Sequence, residues 1–184
     1  VTTLSETGKA TSHDFHDIYQ STSLDAGRTW SRPARIESLR RTKQADGYEV
    51  APGDFWPTLH SKTGRILATG KTFNFADGKR EVALREKVAY AVMDPKAGAW
   101  EPLRFLGMPE KDHGGYRITG ANAGNTQRVA LPDGDILLPV RYWRDPKKYN
   151  FTSVVARCGF DGEALTYKEH GSELSVPRGR GLYE

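Results

Sequence analysis

The sequence predicts an all-β protein built as part of a β-propeller. Three observations lead there: short apolar stretches separated by Asp, Gly and Pro turns, an aromatic-rich composition, and an internal repeat near 68 residues. The 184 residues include Gly 19, Pro 10, Phe 7, Tyr 8 and Trp 4, a mix that favours turns and aromatic-rich strands. At 37% hydrophobic and 27% charged, the chain fits neither a disordered nor a coiled-coil composition. No apolar run reaches the ~20 residues of a membrane span. The net charge of +4 is modest and spread along the chain, so nucleic acid is not expected as a partner.

Each strand has its own signal. Residues 17–23 alternate loosely and end in a turn. Residues 65–71 follow the turn Lys62-Thr63-Gly64, and 88–93 are a short apolar run closed by Asp94-Pro95. Residues 100–106 predict a further strand. Residues 126–131 and 135–143 flank Pro132-Asp133-Gly134 and read as a hairpin, as do 151–158 and 164–168 around Phe160-Asp161-Gly162. The stretch 79–88 reads as loop or irregular strand, and less than a tenth of the chain is expected in helix.

The repeat rests on two landmarks. Turns beginning at Asp25, Asp94 and Asp161 are 69 and 67 positions apart, and each is followed by an aromatic: Trp30, Trp100 and Tyr167. Between them, Gly64-Arg65-Ile66-Leu67 matches Gly134-Asp135-Ile136-Leu137 at a distance of 70. About four strands per period make one large propeller blade. The chain then holds about three blades, with landmarks at 23–30, 94–100 and 161–167. Six such blades need roughly 400 residues, so residues 1–184 are expected to be the first half of a longer domain. The rival is a complete small β-sandwich.

The first turn, Ser23-Leu24-Asp25-Ala26-Gly27-Arg28-Thr29-Trp30, explains itself locally. Asp25 can accept from turn N–H groups, Gly27 supplies a positive φ, and Thr29 can tie its hydroxyl back. Ser23 can bond across the hairpin, and Trp30 is a plug for the space between sheets. This makes Asp25 a fold staple, not an acid or base.

The string Ser-x-Asp-x-Gly-x-Thr-Trp resembles a complete Asp-box, the repeat signature of the sialidase (neuraminidase) superfamily, and the turns at Asp94 and Asp161 resemble degenerate copies. The closing Leu182-Tyr183-Glu184 resembles a mid-domain segment of such proteins. The resemblance implies a six-bladed propeller and an exo-α-sialidase-like hydrolase releasing terminal sialic acid, or a related sugar, from a glycoconjugate. By the same resemblance a bacterial, secreted or periplasmic setting would be unsurprising. The alternative it allows is a non-catalytic propeller that binds glycans or serves as a scaffold.

Family chemistry pairs an aspartate acid/base with a tyrosine nucleophile, its glutamate partner and arginines for the sugar carboxylate. Guanidinium groups bind carboxylates bidentately, and a neutral tyrosine avoids repelling an anionic substrate. The resemblance places the aspartate at Asp14 or Asp17, with Asp14 preferred, and the glutamate at Glu184. Arg128 and Arg141 match the arginines, and Asn125 in the Gly-rich loop 120–125 could bond sugar hydroxyls. The tyrosine and the opening Phe-Arg-Ile-Pro segment are expected outside this chain. His13-Asp14-Phe15-His16-Asp17 holds metal-ligand residue types, but in a loop-like setting, so no metal is assigned and no cofactor. The single cysteine, Cys158, excludes an intramolecular disulfide and reads as a small buried hydrophobe.

Overall fold

The structure, a computed structural model, describes residues 2–4, 17–80, 85–145, 147, 150–177 and 179–182. Asp14 and Glu184 lie outside the described residues. The architecture is all-β, as predicted. Among the described residues helical geometry is limited to 3-10 turns, at Glu37–Leu39 and at Arg85.

Among the described residues, fifteen strands form three antiparallel sheets. The first holds β1 (Thr2–Leu4), β2 (Asp17–Gln20) and β3 (Ala34–Arg35). The second is built on β5 (Glu49–His60), β6 (Arg65–Ala76) and β8 (Val88–Asp94), in that order. Shorter strands extend it: β4 (Thr42–Lys43) beside β5, β7 (Lys79–Arg80) beside β6, and β9 (Ala99–Trp100) and β10 (Arg104–Phe105) beside β8. The third runs β11 (Thr119–Asn122), β13 (Ile136–Trp143), β14 (Phe151–Phe160) and β15 (Leu165–His170), with β12 (Val129–Ala130) on β13.

The repeat landmarks occupy matching places. The turns at Asp25, Asp94 and Asp161 join β2 to β3, β8 to β9 and β14 to β15. The Gly64 and Gly134 turns join β5 to β6 and β12 to β13.

Side-chain alternation along each strand stacks the sheets. In β8, Val88, Tyr90 and Val92 join Leu67, Ile136, Leu138, Val140 and Tyr142 in one core between the second and third sheets. The intervening Ala91, with Ala68 and Trp100, meets Ile18 of the first sheet and Ile36 and Leu39 of the segment that follows β3. Polar ties reinforce the stack. Trp100 Nε1 donates to Gln20 Oε1 (2.5 Å). His60, 2% exposed, donates from Nε2 to the Gly134 carbonyl (2.9 Å) and meets Thr63 Oγ1 through Nδ1 (2.9 Å).

Three local expectations are corrected. The stretch 100–106 is two short strands, β9 and β10, with Pro102 between them. The long strand β5 contains Pro52, Gly53 and Pro57 and was not foreseen; beyond Val50 its second edge carries no ladder partner among the described strands, which is where a strand tolerates proline. Trp30 is not a plug here. It is 63% exposed and donates Nε1 to its own turn at Gly27 (3.1 Å), while Trp100, the aromatic of the second turn, fills the space between the first two sheets.

Candidate functional site

The second and third sheets each carry a cation at one repeated position. Lys71 in β6 and Arg141 in β13 are 70 residues apart, the spacing of the two glycine turns. Lys71 pairs with Gly53 across β5, and Arg141 with Asn122 across β11. Both sit on aromatic rings, Lys71 Nζ 4.8 Å from the Phe73 centroid and Arg141 Cζ 4.1 Å from that of Phe151, a contact favourable to a partly desolvated cation. Arg80, from β7, covers Phe73 as well, at 4.6 Å. The absence of a side chain at Gly53 permits this: a Cβ there would lie 1.9 Å from the Phe73 ring.

Carboxylates complete the group. After Gly53, β5 bulges, and Asp54 takes a positive φ of 54° with its carboxylate 2.6 Å from Lys71 Nζ. The Asp54 carbonyl accepts from Asn125 N (3.0 Å). Glu86 follows β7 and is buried. It accepts from Asn122 Nδ2 and lies 3.5 Å from Arg80 Nη2. Burial raises its pKa; the charges of Lys71, Arg141 and Arg80 and the Asn122 hydrogen bond oppose that rise without cancelling it. Glu86 lines two clefts of about 440 Å³ each. One lies against Tyr48, Asn74, Arg85 and Phe105, the other against Met108, Arg117 and Gly120. A buried carboxyl that holds its proton above the usual range, beside a cleft, is equipped for proton transfer.

A larger cleft of about 690 Å³ lies at the turns of the second and third sheets, between Thr63 and Gly162. The charges of Asp135 and Lys168 on its wall are already paired with each other (2.6 Å), and Asp135 with Arg157 (2.7 Å). The Glu86 group also pairs Lys71 with Asp54 and Arg80 with Glu86, but its carboxyl is raised by burial where that of Asp135 is lowered by its partners, which makes it the stronger candidate for proton transfer.

The residues named from sequence are placed as follows. In the first turn, Asp25 accepts from Thr29 N (2.9 Å), Thr29 Oγ1 (2.6 Å) and Ser23 Oγ (2.8 Å), and Gly27 N donates to Ser23 Oγ (2.7 Å). These bonds hold the Asp25 pKa down at about 2, from 3.8. Gly27 adopts φ 86°. Asp17 opens β2, where its carboxylate accepts from Arg41 N (3.1 Å) and Arg35 Nη1 (3.5 Å). Arg128 reaches across to the second sheet. It donates to Trp56 O (3.1 Å), Thr69 Oγ1 (3.3 Å), Thr58 O (2.9 Å) and Leu67 O, and burial lowers its pKa to about 10. Both its terminal nitrogens are engaged by that sheet. Arg141 lies in the charged group, and Asn125 is exposed at its edge beside the Asp54 bulge. Cys158 is fully buried, its thiol pushed up to about 12 by burial.

Glu86, Asp54, Lys71 and Arg80 escaped the sequence reading. Glu86 stands in the charged string Arg85-Glu86-Lys87, which looks like a solvated loop, and its partner Asn122 is 36 residues away. The one usable signal was the 70-residue spacing of Lys71 and Arg141.

No protein-family model matches the sequence, and no curated protein does. No helix among the described residues is long and apolar enough to cross a membrane, which leaves β-barrels unaddressed. The structure is similar to that of Hadza microbial sialidase Hz136, with a TM-score of 0.57 and 15% identity over 87% of this chain and 32% of that chain. The chain thus spans about a third of that sialidase's length. At this identity the likeness speaks for the fold: all-β, of the sialidase-like propeller kind.

Proposed function

We propose that the chain belongs to a six-bladed sialidase-like propeller, contributes about three of its blades, and takes part in exo-hydrolysis of a terminal sialic acid or related anionic sugar. The carrying observation is the buried Glu86, bonded to Asn122 and ringed by Lys71, Arg80 and Arg141 beside an open cleft. Cations at that density suit a sugar carboxylate, and a protonated carboxyl suits donation to a leaving oxygen.

In this reading Arg141 binds the substrate carboxylate, and Asn125, exposed at the bulge, bonds a sugar hydroxyl. Asp14 is the acid/base and Glu184 the partner of a tyrosine outside this chain. Glu86 keeps the pocket's charge balanced and is a second proton donor. Asp17, held by Arg41 N and the Arg35 side chain, and Arg128, bound to carbonyls of the second sheet, position the site. The turn at Ser23–Trp30 is a structural Asp-box. A glycan is the expected partner.

The test is release of a fluorogenic leaving group from an α-sialoside by the full-length protein. Turnover should fall at least ~10²-fold in Asp14→Asn, and Arg141→Lys should raise KM more than it lowers kcat. Asp17→Asn, Glu184→Gln and Glu86→Gln complete the set. Sugar binding without turnover in the parent protein would instead identify a glycan-binding propeller. Turnover indifferent to every substitution would remove these residue roles.

A further inference from the structure

Away from the Glu86 group, two histidines and a glutamate from two segments 60 residues apart converge. His113 lies in the loop between β10 and β11, His170 ends β15, and Glu173 follows it. Their ligand atoms all lie within 4.8 Å of one another. Glu173 Oε1 is 3.2 Å from His170 Nε2 and 3.5 Å from His113 Nδ1. Ligand bonds of about 2.0–2.2 Å to zinc put tetrahedral ligand atoms about 3.3–3.6 Å apart, so the edge between Glu173 and His170 is close to that length and His113 stands within reach of completing the set.

We propose that His113, His170 and Glu173 bind one divalent transition cation of the zinc class, with the fourth position left to water. The two imidazoles and one carboxylate suit zinc over calcium or magnesium, which demand more oxygen ligands.

The surroundings fit a ligand set. The His170 side chain is 2% exposed and that of Glu173 12%. Tyr167 OH shares a 2.5 Å hydrogen bond with His170 Nδ1. When a cation takes Nε2, that nitrogen gives up its proton, Nδ1 carries the ring's N–H, and the tyrosine oxygen accepts from it. Outer partners of this kind fix the ligating tautomer. Arg144 lies 3.7 Å from Glu173 Oε2 but is itself bonded to the fully buried Asp112 carboxylate (2.6 Å). Two carboxylates against one guanidinium leave a negative balance that a cation offsets. His113 N donates to Glu173 Oε1 (2.8 Å), and the His113 loop is closed by Asp112 N to Tyr116 O (2.9 Å) and Gly115 N to Asp112 O (3.0 Å). The His113 ring now stacks on His170, with centroids 4.1 Å apart and planes 13° apart. A shared metal must lie in both ring planes, so His113 has to rotate, and its 61% exposed side chain has room to do so. The cation would then tie the loop bearing Arg117 and Ile118, which line one Glu86 cleft, to the segment leaving β15.

The test is calorimetric titration of the full-length protein with Zn²⁺, with Co²⁺ as a spectroscopic probe of tetrahedral coordination. One equivalent should bind. His113→Ala, a surface change that spares the fold, should weaken binding at least ~10-fold, and Tyr167→Phe by about 10-fold. His13→Ala/His16→Ala should leave affinity unchanged, and Ca²⁺ and Mg²⁺ should not compete. Absence of Zn²⁺ binding, or binding indifferent to His113→Ala, overturns the site. So does binding that is lost only in the His13/His16 variant.

Discussion

Two carboxylates show how environment sets the behaviour of a single residue. Asp25, in an exposed turn, accepts three hydrogen bonds and is held at about 2. Glu86, buried, is held above its ordinary value. The signs of their linkage to stability are opposite. The lowered Asp25 pKa stabilises the fold at pH above its unfolded value near 3.8, and that contribution is lost as pH falls toward 2. Protection of the Thr29 amide, relative to exchange of a free peptide at the same pH, should therefore fall across this window, and in Asp25→Ala it should be low throughout; unchanged Thr29 protection in that variant would count against the turn network. The raised Glu86 pKa contributes stability below its unfolded value, and that contribution is lost as pH rises through the folded value. The stability gap, Glu86→Gln minus parent, should thus grow in the variant's favour from pH 4 to pH 7 in urea titrations. A gap that widens on acidification would reverse the assignment. Asp25 was legible in the sequence because its partners, Ser23 and Thr29, lie within four residues. Glu86 was not, because burial and the Asn122 bond depend on two sheets meeting.

The contrast between two tryptophans belongs to the scale of elements. Both follow a repeated turn, but only Trp100 meets an adjacent sheet, burying its ring and bonding Gln20. Trp100→Ala should cost about 3–5 kcal/mol, and Trp30→Ala, on an exposed ring, less than about 0.5 kcal/mol, both read from denaturant midpoints of this chain. Comparable losses at the two positions would refute the inequivalence. The sequence signals treated elements unequally too. The apolar alternation of 88–93 and 136–143 was readable because those strands are sandwiched between partners and packed on a core. The strands β11, at the edge of the third sheet, and β5, an edge of the second beyond Val50, were not. Residues 49–60 hold two prolines and a glycine, and 119–122 hold Gly120 in a Gly-rich run. An edge strand loses little by carrying residues that cannot donate or pack, so its sequence resembles a loop. Those edges are also where Asp54, Asn122 and Asn125 gather, so the candidate site was hidden along with its strands.

At the scale of the molecule, the sheets are stacked in sequence order, and each is formed from one continuous stretch of chain. The core joining the second and third sheets draws on many buried side chains, Leu67 and Val88 through Leu165, and is reinforced by His60 and by Arg128. The core joining the first and second is smaller. Within this run of three sheets, stability is a sum of units and of the interfaces between neighbours. Loosening should start at the weaker interface and need not spread through the rest. Native-state hydrogen exchange should show β2 and β3 opening at the lowest free energy, with β6, β8, β13 and β14 opening together at the highest. One common opening energy for all of them would mean a single cooperative unit. The order of the sheets along the chain is then also an order of events: a growing chain can complete each sheet before the next exists, and each finished sheet becomes the surface on which its successor condenses.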